Sequence, residues 1–348
     1  MDREQRSRLF FVGLLAVLPV VMLLSVGSGP ITIPMADIID ILLHRLGLNS
    51  ATPDIQQQLV VEAIRLPRTL IGVLVGSSLA ACGAVMQGLF RNPLADPGII
   101  GVSSGAALGA ALGIVLGGTW LASFTELFQA YTVSVTAFIG GFLSTLLVYR
   151  IGTTGQGTSV ATMLLAGIAV SALSGAGIGL MNYIADDTML RSMTFWQMGN
   201  LANGNWSAII VAASFLIPLQ LIFITRARGL NALLLGESEA RHLGLNVQKL
   251  KMQLIMLTAI GVGVSVSLAG MIGFVGLVVP HLVRLAIGPD HRWLIPCSSL
   301  LGAGILLLAD IIARLVITPA ELPIGIVTAL LGAPFFITML WQQRKRIL

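Results

Sequence analysis

Charge is scarce in this sequence of 348 residues. Lys and Arg together number 20 and Asp and Glu 15, so charged side chains make up 10% of the chain, where a soluble domain carries about 25%. Apolar residues fill 56% of it, and the mean hydropathy is +0.93. A soluble enzyme, a disordered chain and a secreted scaffold are excluded by that deficit. Cysteine is nearly missing as well. Cys82 and Cys297, the 2 present, lie far apart inside apolar runs and offer neither a CxxC pair nor a disulfide framework. Histidine occurs 4 times, at His44, His242, His281 and His291, without clustering and without an H-E-x-x-H zinc motif. No metal site and no permanently bound cofactor are therefore expected. Lysine is confined to Lys249, Lys251 and Lys345, none of them preceded by glycine, so no Walker A loop can be written. The chain is not expected to be an enzyme, and any ATP-driven step belongs to another subunit. Ionisable residues within apolar spans, which mark pumps and voltage sensors, are few. Asp310 and Arg314, four apart, read either as a local ion pair or as a substrate site.

What the sequence has in abundance is long apolar runs, the length that crosses a ~30 Å hydrocarbon core. Spans are expected near Leu9 to Val26, Thr69 to Phe90, Gly98 to Gly118, Tyr131 to Tyr149, Val160 to Ile184, Trp206 to Thr225, Met252 to Met271, Ile272 to Ile287, Trp293 to Ile312 and Leu322 to Trp341. These give an all-α polytopic membrane protein of ten spans, a single unit over 1–348. The first run exceeds a signal-peptide core of ~7–15 residues and is read as a retained span. The stretch Met252 to Val283 is too long for one helix, and Gly270, Gly273, Gly276 and Pro280 are expected to break it.

With the N-terminus inside, only Arg45, Arg65, Arg68, Arg191 and Arg314 of the 20 basic residues fall outside. That bias fits the positive-inside rule, puts both termini in the cytoplasm and removes any need for nucleic acid as a partner. Gly101, Gly105, Gly109, Gly113 and Gly117 form a stripe at the spacing that lets helices approach closely. Gly101-Val102-Ser103-Ser104-Gly105 matches G-x-S-x-G, but it opens that striped span rather than a strand-to-helix elbow. The longest cytoplasmic loop, 226–251, contains Leu235-Gly236, Ala240 and Leu243-Gly244, a short helix bracketed by glycines. Leu233, Leu234, Ala240 and Leu243 on it need burial, either in a cytosolic partner's groove or on lipid. The breaks at Arg91 to Gly98 and Gly270 to Pro280 lie five spans apart, which makes the two halves a candidate inverted repeat.

Four motifs then carry a resemblance: Arg65-Leu66-Pro67-Arg68, the run Met86 to Gly98 with Arg91-Asn92-Pro93-Leu94-Ala95-Asp96-Pro97 at its centre, Gly273-Phe274-Val275-Gly276-Leu277-Val278-Val279-Pro280-His281, and Glu321-Leu322-Pro323-Ile324-Gly325. In these the chain resembles the FecCD-type permeases, membrane subunits of bacterial ABC importers for iron-siderophores, haem and vitamin B12. The resemblance implies the type II ABC importer permease fold, a second copy of the chain, two cytosolic ABC ATPase subunits, an external or periplasmic binding protein and the bacterial inner membrane. It assigns docking of the binding protein to Arg65, Arg68 and Arg314, for which headgroup snorkelling is the plain alternative. It assigns ATPase coupling to Gly236, Glu237, Ala240, Leu243 and Gly244, and a cytoplasmic gate to Asn92 and Leu94. The Gly152 to Ser159 loop is a candidate second constriction. Gly88 to Gly109 and Phe195 to Gly199 look most like haem permeases, with ferric siderophore and then cobalamin as alternatives. A stand-alone channel is the rival from another class.

Overall fold

A computed structural model describes residues 2–48, 54–155 and 157–347, with side chains described as far as Trp341. Gln156, inside the candidate second constriction, and the side chains of Arg344, Lys345 and Arg346 lie outside the described residues. The chain runs through α1 (Arg3–Gly27), α2 (Met35–Arg45), α3 (Ile55–Leu59), a π-helical turn (Val60–Arg65), α4 (Leu66–Leu89), a 3-10 turn (Pro97–Ile100) and α5 (Val102–Leu116). It continues through α6 (Ala122–Phe128), α7 (Thr132–Gly152), the strands β1 (Thr153–Thr154) and β2 (Gly157–Thr158), α8 (Val160–Ile184), α9 (Asp187–Met198) and α10 (Trp206–Leu234). The last elements are α11 (Glu237–His242), α12 (Val247–Ala269), α13 (Val275–Ile287), α14 (His291–Leu315) and α15 (Ile324–Ile347).

Among the described residues, 8 helices are long and apolar enough to cross a membrane; α5 and α13 are shorter apolar helices. All ten expected segments fall on helices, and whether the chain crosses ten times rests on those two short ones. The helix starts are set locally. Asp2 and Gln5 form a capping box on α1, while the side chains of Ser159, Asn205, Asn246 and Asp290 accept from first-turn amides of α8, α10, α12 and α14.

The central helix is α4, buried without interruption from Val75 to Leu89. Its neighbours come unusually close because glycines line the contacts. A Cβ on Gly76 would sit 2.5 Å from the Gly302 carbonyl of α14, and one on Gly83 would sit 1.8 Å from the Gly276 carbonyl of α13. The stripe on α5 does the same against α7, where a Cβ on Gly109 would fall 2.1 Å from the Thr136 carbonyl. Gly101 is not part of that packing: at φ +80° it caps the start of α5. The outward faces of α1 and α8 expose Leu9, Val12, Leu15, Leu165, Ile168 and Leu173, as apolar solvent demands.

The expected break near Gly270 is present but narrower than the sequence suggests. It spans Gly270 to Phe274, whose ends adopt φ +69° and +67°. Gly276 and Pro280 lie inside α13 instead. Pro280 lies in the second turn of α13, where its missing N–H leaves the Gly276 carbonyl without its i+4 donor.

Candidate functional site

Three arginines converge where the ends of α1 and α14 meet the start of α4. Arg65 donates from Nη1 to the Val26 and Gly27 carbonyls at 3.0 and 3.1 Å, and from Nη2 to Ile31 O. Arg314 Nη1 donates to Ser25 O at 3.0 Å and to Ser28 O at 2.6 Å, and its Nη2 lies 3.0 Å from Asp310 Oδ2. Arg68 Nη2 meets Asp310 Oδ1 at 2.8 Å, and its Nη1 meets Glu321 Oε2 at 2.8 Å. The carbonyls at the C-terminus of α1 lack intrahelical donors and carry the negative end of the helix dipole, which is why guanidinium groups settle on them.

The sequence places these arginines on the outer side, for docking of a binding protein or for snorkelling to headgroups. In the structure Arg65, Arg68 and Arg314 are 4%, 6% and 3% exposed and already bound within the chain. Asp310 and Arg314 do form the local pair their spacing allows, and Asp310 serves Arg68 as well. Glu321, part of the fourth sequence motif, is the acidic member of the cluster with solvent access, its side chain 34% exposed.

The two helix breaks share one cavity of ≈ 400 Å³. Asp96, Pro97 and Gly98 line it from one break, Met271, Ile272 and Gly273 from the other. Gly276 permits the approach, since a Cβ there would already lie 3.2 Å from Pro97 Cδ. Asp96 is turned to local work, accepting from Gly98 N at 2.7 Å. The rest of the lining, including Met198, Val262, Val266 and Gly325, is mainly apolar. The gate candidates are not part of this lining and lie in the turn after α4, a few residues before Asp96. Asn92 is exposed, and its Oδ1 accepts from Leu94 N at 2.9 Å, so its side chain shapes the turn that carries Leu94.

At the opposite end of α4 from the arginines, α11 forms the expected short helix. Gly236 and Gly244 bracket it at φ +119° and +81°, a backbone that only glycine adopts without strain. The leucines divide in a way the sequence does not reveal. Leu233 and Ala240 are buried inside the chain, whereas Leu235 and Leu243 project, Leu243 with 65% of its surface exposed. The stem of this segment is anchored by Asn231, whose Nδ2 donates to Asp290 Oδ1 at 2.7 Å while its Oδ1 accepts from His291 N at 2.9 Å. Burial pushes the Asp290 carboxyl up, but hydrogen bonds from Arg292 and Asn231 outweigh it and bring it down to about 2. Glu237 pairs with Lys251, a residue absent from the expected site, at 2.5 Å.

The model of the FecCD transport family matches residues 17–342. The hemin transport system permease protein of Yersinia pestis is 42% identical over 346 residues, covering 99% of both chains. A cobalamin import system permease protein of Halobacterium salinarum is 42% identical over 291 residues, covering 84% of this chain and 76% of its own. A solved ABC transporter, described as inward-facing and of metal-chelate type, superposes with TM-score 0.82 at 34% identity, over 95% of this chain and 98% of its own.

Proposed function

The chain belongs to the FecCD transport family, and on that footing we propose that it is the permease subunit of an ATP-driven importer that moves haem from an external binding protein into the cytoplasm. The observation that carries this reading is the placement of one cavity, lined by both helix breaks, between an arginine cluster at one end of the bundle and the projecting α11 at the other. An apolar lining suits a bulky, partly apolar chelate that passes without tight binding, and iron would travel within its own ligand.

Haem is preferred because the hemin permease is 42% identical along 99% of both chains, while a vitamin B12 permease of Klebsiella pneumoniae matched over a comparable length is 38% identical. A ferric siderophore or cobalamin is the second reading. Vesicles reconstituted with the permease, its ATPase and its binding protein, and offered haem, a ferric siderophore and cobalamin in turn, test this. Haem is expected to accumulate; transport of another cargo without haem overturns the choice.

In this reading the working unit is two copies of the chain in the bacterial inner membrane, termini in the cytoplasm, with two ATPase subunits bound at α11. Segment 226–251 belongs to the same single domain as the rest. The binding protein docks at the arginine end, where three guanidiniums outnumber the carboxylates of Asp310 and Glu321. Its acidic side chains compete with Glu321, the accessible carboxylate, for Arg68. At the other end, Leu243 is the apolar anchor for the ATPase groove, while Ala240 sets the seat of α11 against its own chain. Leu243→Asp is therefore expected to cut the ATPase recovered with purified permease about tenfold or more, whereas Ala240→Asp lowers the yield of the permease itself. Equal ATPase recovery from Leu243→Asp and wild type contradicts the assignment.

A further inference from the structure

We propose that Lys251 is the positioning residue that joins the coupling segment to the hairpin between α7 and α8, so that a displacement of α11 is delivered to Thr158 and on to the cavity. This rests on the reading of α11 as the element the ATPase moves. Lys251 stands in the second turn of α12, its side chain 3% exposed. Its ammonium reaches two separate elements: Glu237 Oε1 at 2.5 Å, on the first turn of α11, and the main-chain oxygen of Thr158 at 3.2 Å, on β2. Three residues before Lys251, in the first turn of α12, Gln248 Oε1 accepts from Thr158 N at 3.1 Å and from Thr158 Oγ1 at 3.0 Å. Thr158 is thus held at every polar atom by the start of α12, and through Lys251 by α11.

The hairpin offers little slack on its other side. Thr153 pairs with Thr158 across the strands, and their hydroxyls lie 3.1 Å apart. Ser159 N donates to Gly152 O at 2.9 Å, closing the hairpin onto the end of α7, and Ser159 Oγ caps α8 through Thr162 N. A pull on Thr158 is therefore a pull on the end of α7 and the first turn of α8. Those two helices flank Gly101, where a Cβ would meet Val148 and Val170 at 3.4 Å, and Gly101 follows directly on the Asp96 to Ile100 segment that borders the cavity.

The chemistry suits a link rather than a surface pair. An ammonium has three donors and can bind acceptors on two elements at once. Arg241 also approaches Glu237, at 3.9 Å, but it does so from the exposed surface, its side chain 66% exposed. A buried ammonium that lost Glu237 would be left with an uncompensated charge, and one that lost the Thr158 oxygen with an unsatisfied donor, so both partners are expected to move with it.

The test is the number of cargo molecules accumulated per ATP hydrolysed, measured in vesicles containing permease, ATPase and binding protein, with whichever of haem, ferric siderophore and cobalamin the wild type moves. Lys251→Met, which fills the space without donors, is expected to lower that ratio at least fivefold. Lys251→Arg, which keeps donors for both partners, is expected to restore it to within twofold of wild type. A role confined to folding would lower the amount of active complex and leave the ratio unchanged. Should Lys251→Met fail to accumulate, Glu237→Gln, which keeps the shape and loses the charge, is expected to lower the same ratio at least threefold. A ratio within twofold of wild type in Lys251→Met, or in Glu237→Gln where that variant stands in, overturns the link alone, as does an arginine variant no better than methionine. A wild type that moves no cargo overturns the importer reading, and the link with it.

Discussion

Asp310→Ala is expected to destabilise the arginine end by about 3–5 kcal/mol, the range for stranding a buried charge by removing its partner. The Asp310 carboxylate is 1% exposed and serves two guanidiniums, Arg68 at 2.8 Å and Arg314 at 3.0 Å, on different helices. Alanine leaves both cations facing each other in the interior. Glu321→Gln removes an ion pair that solvent already reaches, for which about 0–1 kcal/mol is the ordinary range. Thermal unfolding of the two detergent-solubilised variants separates them. A large fall for Asp310→Ala beside a small one for Glu321→Gln is the expected pattern; equal transitions would mean that the cluster is not the internal clamp its geometry describes. Reversing the charge of Arg68 would place a third carboxylate against Asp310 and Glu321, so that variant reports on folding before it reports on docking.

The second large effect lies in the contact of α4 with α13. Gly83→Ala would put a methyl group 1.8 Å from the main-chain oxygen of Gly276, an atom no rotamer change can move aside. The helices must separate, at the upper part of the overpacking range, about 3 kcal/mol. Because Gly276 and Gly273 line the cavity, the same shift alters the pathway, and transport is expected to fall with stability. Gly304→Ala is the matched control on α14, where a Cβ meets nothing within 4 Å. There alanine gains about 0.5–1 kcal/mol over glycine from helix propensity. Unfolding midpoints that move in opposite directions are expected, and a Gly83→Ala variant as stable as Gly304→Ala would contradict the close packing.

How far the sequence foretells this molecule depends on whether a feature is local or relational. Apolar length is local, and all ten segments are helices, Val160 to Ile184 to the residue. Glycine spacing is local too, and Gly105, Gly109 and Gly113 face α7 as the stripe implies. Burial of a charge is relational. Counting loops places Arg65, Arg68 and Arg314 on one side of the membrane, but only the folded chain brings the carbonyl ends of α1 and the carboxylate of Asp310 onto them. The break after α12 shows the same limit, because its chemistry names Gly276 and Pro280, and packing against Gly83 folds both into α13. On α11 the composition marks Ala240 and Leu243 alike, and the tertiary seat of the helix buries one and exposes the other. Lys251 carries a weak signal, as one of 3 lysines in a chain that otherwise uses arginine at the start of an apolar run, and its partners lie 14 and 93 residues away.

The central claim is that this chain moves its cargo only when a separate ATPase drives it, and ATP-dependent uptake measures that directly. Permease vesicles carrying the ATPase are supplied with haem and the binding protein on one side and ATP on the other, with matched vesicles lacking either the ATPase or ATP. Accumulation against the gradient only in the complete system is the expected result. Equilibration of haem by the permease alone, unaffected by ATP, would contradict it and make the chain a facilitator.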